Sequence, residues 1–492
     1  MPANTFRFAT LLRSCLAWAT LLSGCLPAGA QPAGRPNVVL IIADDLAWND
    51  VGAFGNAAIR TPNLDRLAAG GLRFDRAFVT ASSCSPSRAS LITGRYPHNT
   101  DAEQLHWPVP AEQVTFVERL RSAGYWTGAA GKWHLGDALK SRFDVVDDVG
   151  EAGFQTDPAT AKMLATDDSG AQGWVPLLQR RPKDRPFFVW LAALDPHRDY
   201  VEHAVPEPHD PASVIVPPYL PDVAEVRRDL ALYYDEIARL DGYVGKVVKE
   251  LERQGVAERT VIMFLSDNGR PFPRDKTTLY DSGIRTPLIV SWPGAVAPGG
   301  RTTSLISTVD IAPTLLELAG VPLPASIDGR SFASLLRDPG RSIRDEIYAE
   351  KNWHDFEDRA RAVRTARFKY IRNFYDDLPL TPPADAVRSP SFEVLKRLRD
   401  AGRITPDQRR VFEAPRPAEE LYDTEADPHE LRNLAAEASH AATVQVLRGK
   451  LEAWQQATRD STPSARTPDE FDRETGSPLP TRKRPRAGKK AF

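Results

Sequence analysis

Asn37-Val38-Val39-Leu40-Ile41-Ile42, running into Ala43-Asp44-Asp45, decides how the rest of the chain is read. Beyond Asn37 the run is apolar and mostly β-branched, with no polar residue at alternate positions. A strand with one wet face alternates; one that does not is covered on both faces, as in a parallel sheet. Three further runs share this character. Residues 125–130 lead into Gly131-Lys132-Trp133-His134, and Phe187-Phe188-Val189-Trp190-Leu191 leads into Asp195-Pro196-His197. Thr260-Val261-Ile262-Met263-Phe264-Leu265 ends in Ser266-Asp267-Asn268-Gly269. Open α/β sheets bind ligands just beyond the carboxyl ends of their strands. Four strands ending in acids, amides, lysine or histidine therefore predict one shared site.

Helical patterns fill the intervals. Thr61-Pro62 reads as a cap and first-turn pair for a helix over 63–69, closed by Gly70-Gly71. Leu230, Tyr233, Ile237, Leu240, Val244, Val247 and Leu251 recur at three- and four-residue steps, a long amphipathic helix just before the Thr260 strand. A further helix is expected over 310–318, stopped by Gly320. Strands alternating with helices give an α/β fold, a mostly parallel central sheet with helices on both faces. From Asp345 the runs shorten and crowd: Glu346-Ile347-Tyr348, Ala362-Val363-Arg364 and Phe368-Lys369-Tyr370-Ile371, then a helix over 391–400. This predicts a smaller α+β part with an antiparallel sheet. The expected division is a leader over 1–30, a catalytic domain over 36–344 and a C-terminal subdomain over 345–460. Proline and charge over 461–492 read as a disordered tail, with its basic residues concentrated between Arg482 and Lys490.

The 492 residues carry 63 basic and 65 acidic side chains, a net charge of −2, which argues against nucleic acid as a partner. Arg7 and Arg13 ahead of a short apolar run over 16–22 read as an export signal, too short to span a bilayer stably. Leu22-Ser23-Gly24-Cys25 resembles a bacterial lipobox with Cys25 as the lipidated residue, and is favoured over ordinary cleavage after Ala28-Gly29-Ala30. The expected location is the periplasm, or the membrane as an anchored lipoprotein. Oligomeric state is left open, a dimer included.

Asp44, Asp45, Asp267 and Asn268 offer side-chain oxygens only, the donor set of a hard divalent cation such as calcium or magnesium rather than zinc. Read without a metal, the same residues are a helix cap and a plain turn. Of three cysteines, Cys15 and Cys25 fall in the leader, so Cys84 has no intrachain partner. It is a buried, inert spectator, paired between molecules, or chemically special.

Its surroundings, Ser82-Ser83-Cys84-Ser85-Pro86-Ser87-Arg88 through Gly94, resemble the signature in which type I sulfatases convert cysteine to formylglycine. Gly124-Tyr125-Trp126-Thr127-Gly128-Ala129-Ala130-Gly131-Lys132-Trp133-His134 is similar to the second signature of that family, and Leu421-Tyr422-Asp423 with Asp427-Pro428-His429-Glu430 fits its C-terminal motif. The resemblance covers residues 36–434 and implies an alkaline-phosphatase-like sandwich. It implies that Cys84, as 3-oxoalanine (formylglycine) made by a maturation enzyme, joins Asp44, Asp45, Asp267 and Asn268 around one calcium ion. Arg88 then holds the nucleophile, Lys132 and Lys276 clamp sulfate oxygens, His134 is the base and His197 the acid for the leaving group. His98 and His106 are the other candidate pocket histidines, whereas His203, His209, His354, His429 and His440 lack such a context.

A finer similarity, to heparan N-sulfatase (sulfamidase) and its bacterial relatives, rests on Asp195-Pro196-His197-Arg198, Val216-Pro217-Pro218-Tyr219-Leu220-Pro221-Asp222 and Asp267-Asn268-Gly269-Arg270-Pro271-Phe272-Pro273. It continues in Asn373-Phe374 and Ser389-Pro390-Ser391-Phe392 and departs at Lys276, where the sulfamidase pattern has arginine, so charge is kept and fork geometry lost. The implied substrate is a sulfated glycan, N-sulfoglucosamine of heparin or heparan sulfate first. An O-sulfatase of another polysaccharide or aryl sulfate, a phosphonate or phosphate monoester hydrolase, and a silent glycan-binding protein are the competing readings.

Overall fold

The computed structural model describes residues 34–149 and 169–480; the leader and the basic run 482–490 lie outside the described residues. Nine strands form the larger sheet: β1 (Asn37–Ala43), β2 (Leu72–Phe78), β3 (Trp126–Gly131), β4 (Val145–Asp148), β5 (Phe187–Ala192), β6 (Thr260–Ser266), β7 (Arg285–Ser291), β8 (Gly300–Thr302) and β9 (Ile306–Ser307). Their order is β4-β3-β5-β1-β6-β7-β2-β8, with β9 also on β2. Pairing is parallel from β4 through β6, and β7 alone runs against its neighbours. Every residue of β1, β5 and β6 is buried, which explains runs that never alternate.

Successive β1 side chains enter different cores. Val39, Ile41 and Ala43 pack with α1 (Pro62–Ala69), α4 (Trp174–Arg180), the 30-residue α5 (Ala224–Arg253) and α7 (Pro390–Asp400). Val38, Leu40 and Ile42 pack with α2 (Cys84–Thr93), α3 (Phe116–Ser122) and α6 (Ile311–Leu318). All seven periodic positions of α5, from Leu230 to Leu251, are buried in the first core. At α1 the expected cap is replaced. Thr61 makes no side-chain capping bond, and the free amides of Asn63 and Leu64 are taken instead by Asp241 of α5 at 3.0 and 2.8 Å.

A separate antiparallel sheet, β10 (Glu346–Lys351), β11 (Ala360–Thr365), β12 (Phe368–Asn373) and β13 (Glu419–Asp423), follows in that order. One face carries α8 (Ala441–Thr458), with Val444, Leu447, Leu451 and Trp454 against Val363, Tyr370 and Leu421. The other face, through Ile347, Ala362, Ile371 and Tyr422, meets Phe78, Val79, Leu279 and Ile284 of the first layer. The small sheet is thus seated against the loops that follow β2 and β6.

Residues 462–480 depart from the expectation of disorder. They form a strap in which Pro468 accepts a bond from Trp353 Nε1 at 3.1 Å, Asp469 accepts from the Glu357 amide at 2.6 Å, and the Glu470 amide donates to Asp355 at 2.8 Å. Composition measures the apolar area a segment can bury, whereas this strap is held by polar bonds to a preformed surface.

Gly131 ends β3 at φ +95°, and a Cβ there would sit 1.8 Å from the Ala192 carbonyl oxygen of β5. Gly131→Ala combines backbone strain with that overlap and is expected to cost at least about 2 kcal/mol of unfolding free energy. Urea denaturation measures it, and an unchanged midpoint would show that the turn tolerates a side chain.

Candidate active site

The four strand ends arrive together because the parallel register aligns them. Gly131 pairs with Ala192, Ala192 with Ile42 and Ile42 with Leu265, so β3, β5, β1 and β6 finish along one edge. The bonds continue past the strands, with Asp44 N donating to Asp195 O at 3.0 Å and Asp267 N to Ala43 O at 3.2 Å. Asp44, Asp45, Asp267 and Asn268 are brought side by side, each at most 2% exposed.

Cys84 is the first residue of α2, a helix buried along its whole length. Arg88 follows four residues later, the spacing that puts two side chains on one helical face. Its Nε lies 2.8 Å from Asp267 Oδ2, and a terminal nitrogen lies 2.7 Å from the same oxygen and 3.6 Å from Asp44. The Cys84 thiol donates to Asp45 Oδ1 at 3.8 Å, and Asn268 Nδ2 donates to that oxygen at 2.6 Å. Lys132, just past Gly131, is bonded to Asp44. Lys276 reaches Asp45 Oδ2 at 2.7 Å from a loop pinned to Ser82 through both Thr277 N bonds, each 3.0 Å.

Three buried carboxylates thus face three buried cations. Burial, the largest effect, and Asp45 oppose the charge of Asp44, but Lys132, His197 and Arg88 together outweigh them and hold the carboxyl below its usual range. Burial prevails at Asp267, which is raised despite Arg88. Burial likewise opposes the charge of Lys132 and Lys276, yet Asp44 and Asp45 keep both ammonium groups above their ordinary range. Burial also pushes the Cys84 thiol well up, so the side chain is a neutral thiol and a weak nucleophile.

The cluster also fits a metal ion. One ligand atom each from Asp44, Asp45, Cys84 and Asp267 lies within 4.8 Å of the others. Asp44 Oδ1 and Asn268 Oδ1 are buried without a hydrogen-bond partner, the condition of oxygens that have a cation to bind. Oxygen donors from separate loops suit a hard divalent ion.

The histidines divide. His134 is buried, and burial, with Lys132 and His106 nearby, holds it well below the ordinary imidazole range, so it is neutral. His106 belongs with it, its Nδ1 lying 2.8 Å from His134 Nε2. His197, 12% exposed, brings Nε2 to 3.7 Å from Asp45 Oδ2. His98 does not join them. It is bonded to Glu350 at 3.0 Å and packed on Tyr96 and Trp454. His98, Glu350 and Asp460 gather as if for a second metal, but Arg361 pairs with both carboxylates and Arg359 also pairs with Asp460, so two guanidiniums balance the two acids.

Two residues that sequence reading left aside do reach the site. His354 Nδ1 lies 2.7 Å from Ser83 Oγ, next to Cys84, and Asp385 Oδ2 lies 3.8 Å from His197 Nε2. The finer motifs join behind the site. Arg198 grips Asp229 with two 2.8 Å bonds, Ser391 donates to the same carboxylate at 2.6 Å, and Tyr219 donates to Asp275, beside Lys276, at 2.6 Å.

A parallel sheet with this buried, metal-fitting cluster at its carboxyl edge defines a hydrolase of the alkaline-phosphatase-like architecture. Within it, the sulfatase family model matches residues 36–321, more than half of the chain, and a model described as the C-terminal part of N-sulphoglucosamine sulphohydrolase matches 272–388. The chain belongs to the sulfatase family and is an enzyme that hydrolyses sulfuric ester or sulfamide bonds. It is 33% identical to human N-sulphoglucosamine sulphohydrolase over 472 residues, covering 87% of this chain and 91% of that one. A solved structure in complex with its substrate D-glucosamine-2-N,6-O-disulfate shares the fold with a TM-score of 0.68 at 22% identity, over 87% of this chain and 99% of that one. Phosphonate monoester hydrolase of Agrobacterium radiobacter shares it with a TM-score of 0.66 at 20% identity, over 86% and 96%.

Removing Arg88 leaves Asp267 without its bonded cation. Arg88→Ala is expected to cost about 3–5 kcal/mol, and Arg88→Lys less, because charge survives while the fork is lost. Urea unfolding in a chelating buffer measures both. A loss below about 1 kcal/mol for the alanine variant would show that the carboxylates are neutralised another way.

Proposed function

We propose that this chain is an exported sulfatase that removes the N-sulfo group from glucosamine at the non-reducing end of heparin- or heparan-type glycans. The observation that carries this reading is the 272–388 match to N-sulphoglucosamine sulphohydrolase, because that segment supplies Asp385 beside His197. The 33% identity extends the likeness across both sheets. The leader pattern supports export to the periplasm or anchoring through Cys25.

Converted to formylglycine, position 84 supplies a hydrated aldehyde with two hydroxyls, one to take the sulfo group and one to release it. Asp44, Asp45, Asp267, Asn268 and position 84 would hold the metal, proposed as calcium, which lends positive charge to the reacting centre. Arg88 orients the side chain at 84 from one helical turn away. Lys132 and Lys276 present fixed positive charge to the sulfo oxygens in a site that excludes water. Neutral His134 accepts the proton from the second hydroxyl, and His197, reachable from solvent, protonates the leaving group. Lys276, a point charge where sulfamidases carry a fork, supports O-sulfate cleavage as the second reading.

Peptide mass spectrometry of active protein is expected to find an aldehyde at position 84, and elemental analysis one calcium per chain; Asp45→Ala loses the metal and the activity together. Fully active protein with an intact Cys84 thiol, or unaffected by exhaustive chelation, overturns this chemistry. On a panel of defined saccharides, sulfate release is expected from non-reducing-end N-sulfoglucosamine. Release from O-sulfates alone would refute the substrate and leave the sulfatase standing.

A further inference from the structure

Asp385 gives one oxygen to its own turn, Oδ1 accepting the Ala386 amide at 2.7 Å, and the other oxygen has no such structural use. It lies in the helical turn Ala384–Val387, and its Oδ2 is buried without a hydrogen-bond partner. Arg198, the nearby guanidinium, spends both terminal nitrogens on Asp229. His197 Nε2 lies near two carboxylates from distant parts of the chain, 3.7 Å from Asp45 Oδ2 and 3.8 Å from Asp385 Oδ2. Behind Asp385 is Asp355, 4% exposed, which accepts the Ala384 amide at 2.9 Å through Oδ2 and leaves Oδ1 unbonded. Asp355 holds a left-handed backbone at φ 60°, and its carbonyl is tied to the strap through the Glu470 amide. The fold therefore spends backbone strain and a buried carboxylate on fixing the Asp385 turn. Burial opposes the charge of Asp385, but Lys276, His197 and Arg198 hold its carboxyl below the ordinary range, so it is an anion.

The two kinds of sulfate cleavage differ at this spot. An O-sulfate ester and water give an alcohol, sulfate dianion and a proton released to solvent. An N-sulfo group and water give an ammonium and sulfate dianion. The S–N bond breaks, its electron pair stays on nitrogen, and both protons of the consumed water end there. Only N–S cleavage creates a cation beside the acid that protonates the leaving group.

We propose that Asp385, backed by Asp355, is the binding site for the leaving amine, receiving the ammonium of a hexosamine as it forms and favouring N-sulfo over O-sulfo substrates. This rests on the N-sulfoglucosamine reading above. The test uses full-length, matured enzyme and the near-isosteric Asp385→Asn, with kcat/KM measured on N-sulfoglucosamine and on 4-nitrophenyl sulfate. The ratio of the two values is expected to fall about 10- to 100-fold, the range of one charge-assisted hydrogen bond, with partial recovery in Asp385→Glu. An unchanged ratio, with both substrates losing equally, overturns the proposal in favour of a structural role. Calorimetric titration of wild-type enzyme with glucosamine and with glucose gives a second reading that needs no variant to fold. Glucosamine is expected to bind at least about 10-fold more tightly at neutral pH, and equal affinities overturn the site. If wild-type enzyme leaves N-sulfoglucosamine intact, the substrate assignment falls on its own, and the titration still decides whether Asp385 receives an ammonium.

Discussion

Asp44, Asp45 and Asp267 come from two strand ends and lie close enough to share ligand distances, with almost no water to separate them. Three carboxylates so placed cannot all stay ionised unless positive charge is fixed among them. Arg88, Lys132 and Lys276 supply it, and each comes from a different element: a buried helix, the turn after β3 and the loop after β6. The folded centre is neutral only when all of these elements are in place. The packing of the sheet edge, the depth of α2 and the docking of the 269–280 loop on Ser82 all follow from that one electrostatic demand.

The demand also explains why the second sheet is not an appendage. The loop carrying Lys276 is held by Tyr219 on Asp275, and Arg198, the neighbour of His197, is held by Asp229, to which Ser391 also donates. His354 and Asp385, from the stretch after β10, then meet Ser83 and His197. The charged cluster is built from strand ends, one helix and one loop of the first layer, while His354 and Asp385 reach it from 353–387.

What was legible in the sequence was whatever periodicity or residue type declares locally. β1, β3, β5 and β6 were readable because buried parallel strands do not alternate, and their ends were readable because acids, lysine and histidine follow directly. Cys84 and Arg88 were readable as a helical pair. His354 and Asp385 were not, since the site groups they meet, Ser83 and His197, lie far away along the chain. His98 misled because nearness in sequence to Cys84 says nothing about which way the chain runs after Gly94; Glu350 claims it instead. The strap over 462–480 misled because polar anchoring leaves no hydrophobic pattern to read.

The burial of α2 has a bearing on time as well as on space. Cys84 is 2% exposed, with Ser83 bonded to His354 and Arg88 locked to Asp267 above it. No second protein can reach that sulfur once the sheet has closed over it. If the side chain is to be oxidised, the oxidation has a deadline set by folding, and a molecule that folds first is committed for life to an inert thiol. The proportion of working enzyme in a cell would then record a race between two rates, and slowing the closure of the core would raise the yield of active molecules without altering a single catalytic residue.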